Sequence, residues 1–393
     1  MKKVFLFSLF LVLGLVLSQC LPVWLGEAFL TAEKVAKTLM FVCLAFIMIN
    51  VGREFELDKT KWRSYAADYF IAMATAAVPW IMVAFYYMFL LPADLFGNWD
   101  AWKENLLLSR FAAPTSAGIL FNLMAAAGLR REWIYKKTQV LAIFDDLDTI
   151  LLMIPLQIFM IGFKWQLFAV VIVITFLLVI GWKKLGTIRL SQTWKSILFY
   201  AVCIVAVTES IYLLTKWMMG ADGAIHIEVL LPAFVLGMVM KTVHQHGNRD
   251  EKITGMISYL FMFLVGLSTP QFIGIDHGHR ITEAVGIIAA QPMPSWEVLV
   301  VHVIVVTLLS NLGKMFPLFF YRDRQLEERL ALSVGMFTRG EVGAGIIVIA
   351  MGYNLGGPAL IISVLSLVLN LLLTGGFVVI VKRLAQQAYG LKE

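Results

Sequence analysis

The chain has 393 residues, 60% of them hydrophobic and only 15% charged, against about 25% charged residues in ordinary soluble domains. A mean hydropathy of +0.83, carried by apolar runs of about 20 residues, excludes a soluble globular domain and defines an all-α polytopic membrane protein. The net charge of +6 is no sign of nucleic-acid binding, because the basic residues sort by membrane side, and Cys20, Cys43 and Cys203 lack metal-ligand spacing.

Twelve spans are predicted, at about residues 4–22, 35–52, 66–91, 106–128, 138–162, 166–182, 196–217, 227–243, 255–269, 298–320, 330–353 and 358–381. The first follows a basic start and ends in "LSQC", features that also fit a signal peptide. Gln19 suits a lipoprotein cleavage site poorly, and the run is long enough to span, so a retained helix is expected. With the N-terminus in the cytoplasm, 23 Lys and Arg residues fall in inside segments and six in outside ones. That bias follows the positive-inside rule loop after loop. The remaining three, Arg110, Lys314 and Arg339, lie inside spans four, ten and eleven.

Span four reads "LLLSRFAAPTSAGILFNLMAAAG". Pro114 cannot donate a backbone hydrogen bond, and Thr115 and Ser116 follow it at mid-membrane. Span five carries "FDDLD", three carboxylates where each is costly to bury. Asp145 stands eight residues past Lys137, and Lys314 eight before Arg322; both are thus about 12 Å from the cytoplasmic surface. Opposite charges at one depth predict a buried pair. Asp146 points about 100° away from Asp145 on a helix and is expected to face an aqueous cavity. There it can take a proton when neutral or a small hard cation when ionised. Asp148 shares a face with Asp145 and can be a third ligand, a relay or a polar residue lining the cavity.

Glu209 in span seven and His302 in span ten are weaker signals. Between spans nine and ten, "DHGH" at 276–279 is expected to be solvated loop rather than a metal site. Span eleven places Thr338, Arg339, Gly340, Glu341, Gly343 and Gly345 at its centre. Paired interruptions in the two halves of a transporter are a strong pointer to its ion site; a proline kink plus a glycine packing face is the plainer alternative. Arg339 and Glu341 are expected to neutralise each other or the exposed helix ends.

These segments together resemble bacterial sodium/proton antiporters of the monovalent cation:proton antiporter superfamily. The resemblance rests on "FDDLD", "TS" after the proline, "GKMFP" and "FTRGEVGAGIIVIA", with "AFIMINVGREFELD" in span two. It implies two inverted repeats, spans 3–5 and 10–12, in which spans 4 and 11 are discontinuous and cross. It implies a mobile core at about 64–163 and 298–393 within a single membrane domain, and a scaffold at about 1–63 and 164–297 that forms a homodimer. By the same analogy Asp146 carries cation and proton, Asp145 pairs with Lys314, and Thr115 and Ser116 lie by the site. The aspartate pair resembles the electrogenic branch; Asp148 departs from the pattern and puts ion choice and stoichiometry in question.

The expected activity is exchange of a monovalent cation, Na+ before Li+ or K+, for protons across a bacterial inner membrane, with both termini cytoplasmic. No cofactor, nucleic-acid partner or enzymatic reaction is expected. A sodium-coupled organic-anion symporter of similar architecture is the first rival, though it has less use for adjacent aspartates with a lysine. An intramembrane aspartyl protease is disfavoured, because its two aspartates must face each other from two helices and all three here share one. A channel fits less well than a carrier, since paired charges at one depth suit binding and release.

Overall fold

The computed structural model describes residues 2–25, 29–53, 62–116, 132–161, 186–219, 229–241, 248–269, 286–353 and 355–390, with isolated positions in 117–131 and 162–185. Twelve α-helices occur among the described residues. They are α1 (Lys2–Leu25), α2 (Phe29–Arg53), α3 (Trp62–Phe89), α4 (Trp99–Ser109), α5 (Trp133–Ile161) and α6 (Trp194–Met219), followed by α7 (Leu230–Val239), α8 (Asn248–Leu267), α9 (Trp296–Gly313), α10 (Leu326–Gly335), α11 (Glu341–Gly352) and α12 (Gly357–Tyr389). Ile188 and Met240 form an isolated bridge, and no strand occurs among the described residues.

Helices and predicted spans do not map one to one. Among the described residues, five helical stretches are long and apolar enough to cross a bilayer, from α2, α3, α6, α9 and α12. The α5 sequence carries three aspartates in its middle, which is the feature that gives it chemistry. Span eleven is two helices, α10 and α11, with non-helical backbone between them. Span four begins seven residues earlier than predicted, at Trp99, where the Asn98 side chain accepts the Asp100 N–H at 2.8 Å and caps α4. Most of span six, the second half of span four and the 276–279 segment lie outside the described residues.

Span ten also differs. α9 stops at Gly313, and Phe316–Phe319 forms a separate 3₁₀ turn that contains Pro317. Pro317 has no N–H to donate to the Gly313 carbonyl, so the α-helical ladder ends there. At the same point α9 meets α3 backbone to backbone, since a Cβ on Gly313 would sit 2.5 Å from Cα of Pro79. α12 outruns its predicted end because "VKRLAQQAY" continues as helix until Gly390, whose left-handed φ of 63° ends it.

Packing sorts the helices into neighbourhoods. α1 lies along α8 and α2 along α7, while α3 touches both α5 and α9, and α12 covers α9 and α10. The first two contacts close on glycine. A Cβ at Gly14 would lie 2.0 Å from the Phe263 carbonyl oxygen, and one at Gly266 would lie 2.2 Å from that of Leu11. Gly52 and Gly237 repeat the arrangement between α2 and α7, at 2.1 Å from the Phe234 oxygen and 2.2 Å from the Ile49 oxygen. Small residues let membrane helices approach this closely, and dispersion between backbones then holds them together.

The segment between α8 and α9 is tied down at its C-terminal part. The Glu104 carboxylate on α4 accepts the N–H groups of Ile287 at 3.1 Å and Ile288 at 2.9 Å. Gly357, at φ 73°, lies against the Ile288 carbonyl, where a Cβ would be only 2.7 Å away.

Candidate functional site

The non-helical stretch within span eleven lies against the chain that follows the end of α4; whether span four resumes as a helix falls outside the described residues. α4 ends at Ser109, a single 3₁₀ turn covers Arg110–Ala112, and residues 114–116 are non-helical. Across from them the chain is non-helical at 338–340. Helix ends buried in a membrane protein must find partners for their free carbonyls and N–H groups, and here each stretch supplies the other. The Ser116 N–H donates to the Thr338 carbonyl at 2.9 Å. The Thr115 hydroxyl donates to the Met336 carbonyl at 3.1 Å, and the Thr338 hydroxyl donates across to the Ser116 carbonyl at 3.5 Å as well as to that of Gly335 in its own segment at 3.3 Å.

Arg339 completes the junction. Its guanidinium, 1% exposed, donates to the carbonyls of Met336 at 3.2 Å, Pro114 at 3.3 Å and Ser310 at 3.2 Å. A planar fork with five donors suits three converging carbonyls. Of the two expected roles, Arg339 thus occupies the one at the helix ends. Glu341 opens α11; its side chain lies outside the described residues.

α5 passes beside the junction with its carboxylates buried: Asp145 is 0% exposed, Asp146 1% and Asp148 2%. Lys314, also 0% exposed, donates to Oδ2 of Asp145 at 2.7 Å. It caps the C-terminus of α9, an end that favours a cation. Asp146 lies next in the helix, on a different face. Asp148 goes elsewhere: Nη2 of Arg110 reaches its Oδ2 at 3.2 Å and its main-chain carbonyl at 3.0 Å. The structure therefore does not bring the three carboxylates to one point, and among the described residues no group of three His, Cys, Asp or Glu side chains is arranged to hold a metal ion.

Two further hydroxyls on α5, Thr138 and Thr149, are buried without a hydrogen-bond partner among the described residues, as is Ser333 on α10. Other helical hydroxyls here, such as Thr75, Thr307 and Thr374, return a bond to the carbonyl four residues back. The weaker candidates are placed apart from the junction. His302 Nδ1 pairs with the Tyr86 hydroxyl at 2.7 Å, and Glu209 lies partly exposed on α6, which packs against α2.

Sequence reasoning missed the partner of Asp148. Arg110 stands out as a basic residue inside span four, but with the span begun at about 106 no depth is assigned to it and no partner follows. The polar pairs that join α9 to α12 were missed as well: Thr307 with Ser366 at 2.8 Å, and Asn311 with Asn370 at 3.3 and 3.5 Å. Nothing in one sequence gives the rotation that aligns two such helices.

An all-helical membrane fold in which the end of one helix meets the break in another beside buried, paired charges is that of a secondary transporter. The family model described as "sodium/hydrogen exchanger, transmembrane" matches residues 2–385, and the chain belongs to that family. It is an integral membrane cation:proton exchanger and not an enzyme; the organic-anion symporter finds no support. The fold is similar to that of the sodium proton antiporter MjNhaP1 from Methanocaldococcus jannaschii, solved at pH 8, with TM-score 0.59 and 12% identity over 95% of this chain and 91% of that one. No curated protein matches the chain.

Proposed function

We propose that Asp146 is the group that carries cation and proton in turn, and that the cation is Na+. The observation that carries this reading is the position of Asp146: buried on α5, next to the Asp145–Lys314 pair, on the helix that runs beside the junction of residues 114–116 and 338–340. A carboxylate there binds one hard cation through oxygen or one proton, never both, so competition couples the two fluxes. Thr115 and Ser116 border the site through the 114–116 segment. Lys314 is the second group able to exchange a proton, released when a bound cation draws Asp145 away from it. A cycle that moves net charge this way is driven by the membrane potential, about 2.3 kcal/mol per charge per 100 mV.

Because Asp146 is 1% exposed, exchange requires the protein to open toward each side alternately. We assign that movement to residues of about 64–163 and 298–393, working against a scaffold of about 1–63 and 164–297 through which two copies associate. Charge bias supports placing both termini in the cytoplasm of a bacterial inner membrane, and the reading needs no cofactor. The test uses acidified vesicles loaded with a fluorescent proton probe, to which Na+, Li+ and K+ are added in turn. Wild-type protein should dequench with Na+ and Asp146→Asn should not; undiminished exchange by the variant refutes the assignment.

A further inference from the structure

We propose that Arg110 and Asp148 are a fixed-charge positioning pair for the ion site: Arg110 keeps Asp148 out of the cation's ligand shell and sets the field in which the cation binds. This rests on the exchange reading above.

The pair is fully buried, with side-chain exposures of 0% for Arg110 and 3% for Asp148. Its hydrogen bonds converge on one nitrogen, Nη2, while Nε and Nη1 of Arg110 have no hydrogen-bond partner among the described residues. Arg110 is the C-cap of α4, so its charge sits at the negative end of that helix. One guanidinium nitrogen, Nη2, contacts both the carboxylate and the main-chain carbonyl of Asp148, which fixes the arginine to the backbone of α5 and not only to a side chain. The plane of the guanidinium lies 4.4 Å from the Trp80 ring centroid, a cation–π contact, and the indole N–H of Trp80 donates to the Leu106 carbonyl at 2.7 Å. The residue before it, Pro79, is the one that Gly313 packs against. One step in α3 therefore braces Arg110 from one side and the residue preceding Lys314 from another.

The charges acting on Asp148 come from several elements: Arg110 at the end of α4, Asp145 on α5 and Lys314 beyond α9. The pair adds no net charge to that set while intact. Broken, it leaves a full charge within about one helical turn of Asp145 and Asp146. Arginine suits this task because it does not give up its proton in proteins; Lys314, by contrast, is an amine that can.

The experiment measures the apparent KM for Na+, the Na+:Li+:K+ preference and the thermal midpoint of Asp148→Asn, Arg110→Gln and the double variant, all in proteoliposomes. Asp148→Asn leaves a lone positive charge and should raise KM by about tenfold, while Arg110→Gln leaves a lone negative charge and should lower it by a similar factor. The double variant should return to within about threefold of wild type, with ion preference unchanged. Shifts of the same sign in both single variants, or losses of turnover and midpoint at constant KM, would reduce the pair to a structural brace and overturn the proposal. If neither single variant folds, the double variant decides. A wild-type preference supports exclusion of Asp148 from the ligand shell, and an altered preference makes Asp148 a ligand. Failure of the Asp146 assignment would show separately, as exchange surviving Asp146→Asn.

Discussion

The contact between α2 and α7 and the junction beside α5 solve one problem, helix association without water, by opposite means. At Gly52 and Gly237 the chain removes side chains until backbones touch. Beside α5 it inserts three acids and three bases, all 0–2% exposed, and satisfies the open helix ends with their donors. The first contact holds whatever the ionic state, because nothing in it titrates or binds. The second is built of ionisable groups, and in the exchange proposed above it changes whenever an ion or proton enters. Stability without chemistry and chemistry with a standing electrostatic cost are thus kept in separate places.

Variants can break that contrast. The largest effect on stability should come from Lys314→Ala. Removing one member of a buried pair leaves the other uncompensated, at a cost of about 3–5 kcal/mol, and exchange should fall with the thermal midpoint. A variant with wild-type midpoint and kinetics would remove Lys314 from the site. Gly52→Ala comes next. Its Cβ has no side chain to push aside, only the Phe234 carbonyl, so α2 and α7 must separate at a cost of about 1–3 kcal/mol. Protein that survives should keep its KM for Na+; a changed KM would mean that the two regions are not separable. Thr307→Val should cost the least, about 1 kcal/mol for the lost bond to Ser366, seen as a small drop in midpoint with unaltered ion preference.

Depth counting reached Asp145 and Lys314 because two cytoplasmic markers, Lys137 and Arg322, lie close to each in sequence. The same arithmetic applies to Arg110 once α4 starts at Trp99. Arg110 is then about 16 Å from one end, and Asp148 about 16 Å past Lys137 from the other, so both stand near the middle of a core about 30 Å thick. The start was misplaced because "WDAWKENLLLS" is amphipathic and capped by Asn98, whereas hydropathy alone begins the span at its leucines. Pro114 and the glycines of 340–345 exposed the end of helix α4 and the break before α11, since each residue type acts on its own backbone. Contacts such as Thr307–Ser366 or Gly14 against Phe263 depend on how two distant helices are rotated, and a single chain of letters carries no record of that.

Glu104 has a consequence for how far the parts can travel. By gripping the amides of Ile287 and Ile288 it makes the last stretch before α9 an appendage of α4, so the effective leash between α8 and α9 ends at residue 286 and not at Trp296. Ten residues are therefore withdrawn from the span that would have to accommodate the movement proposed above.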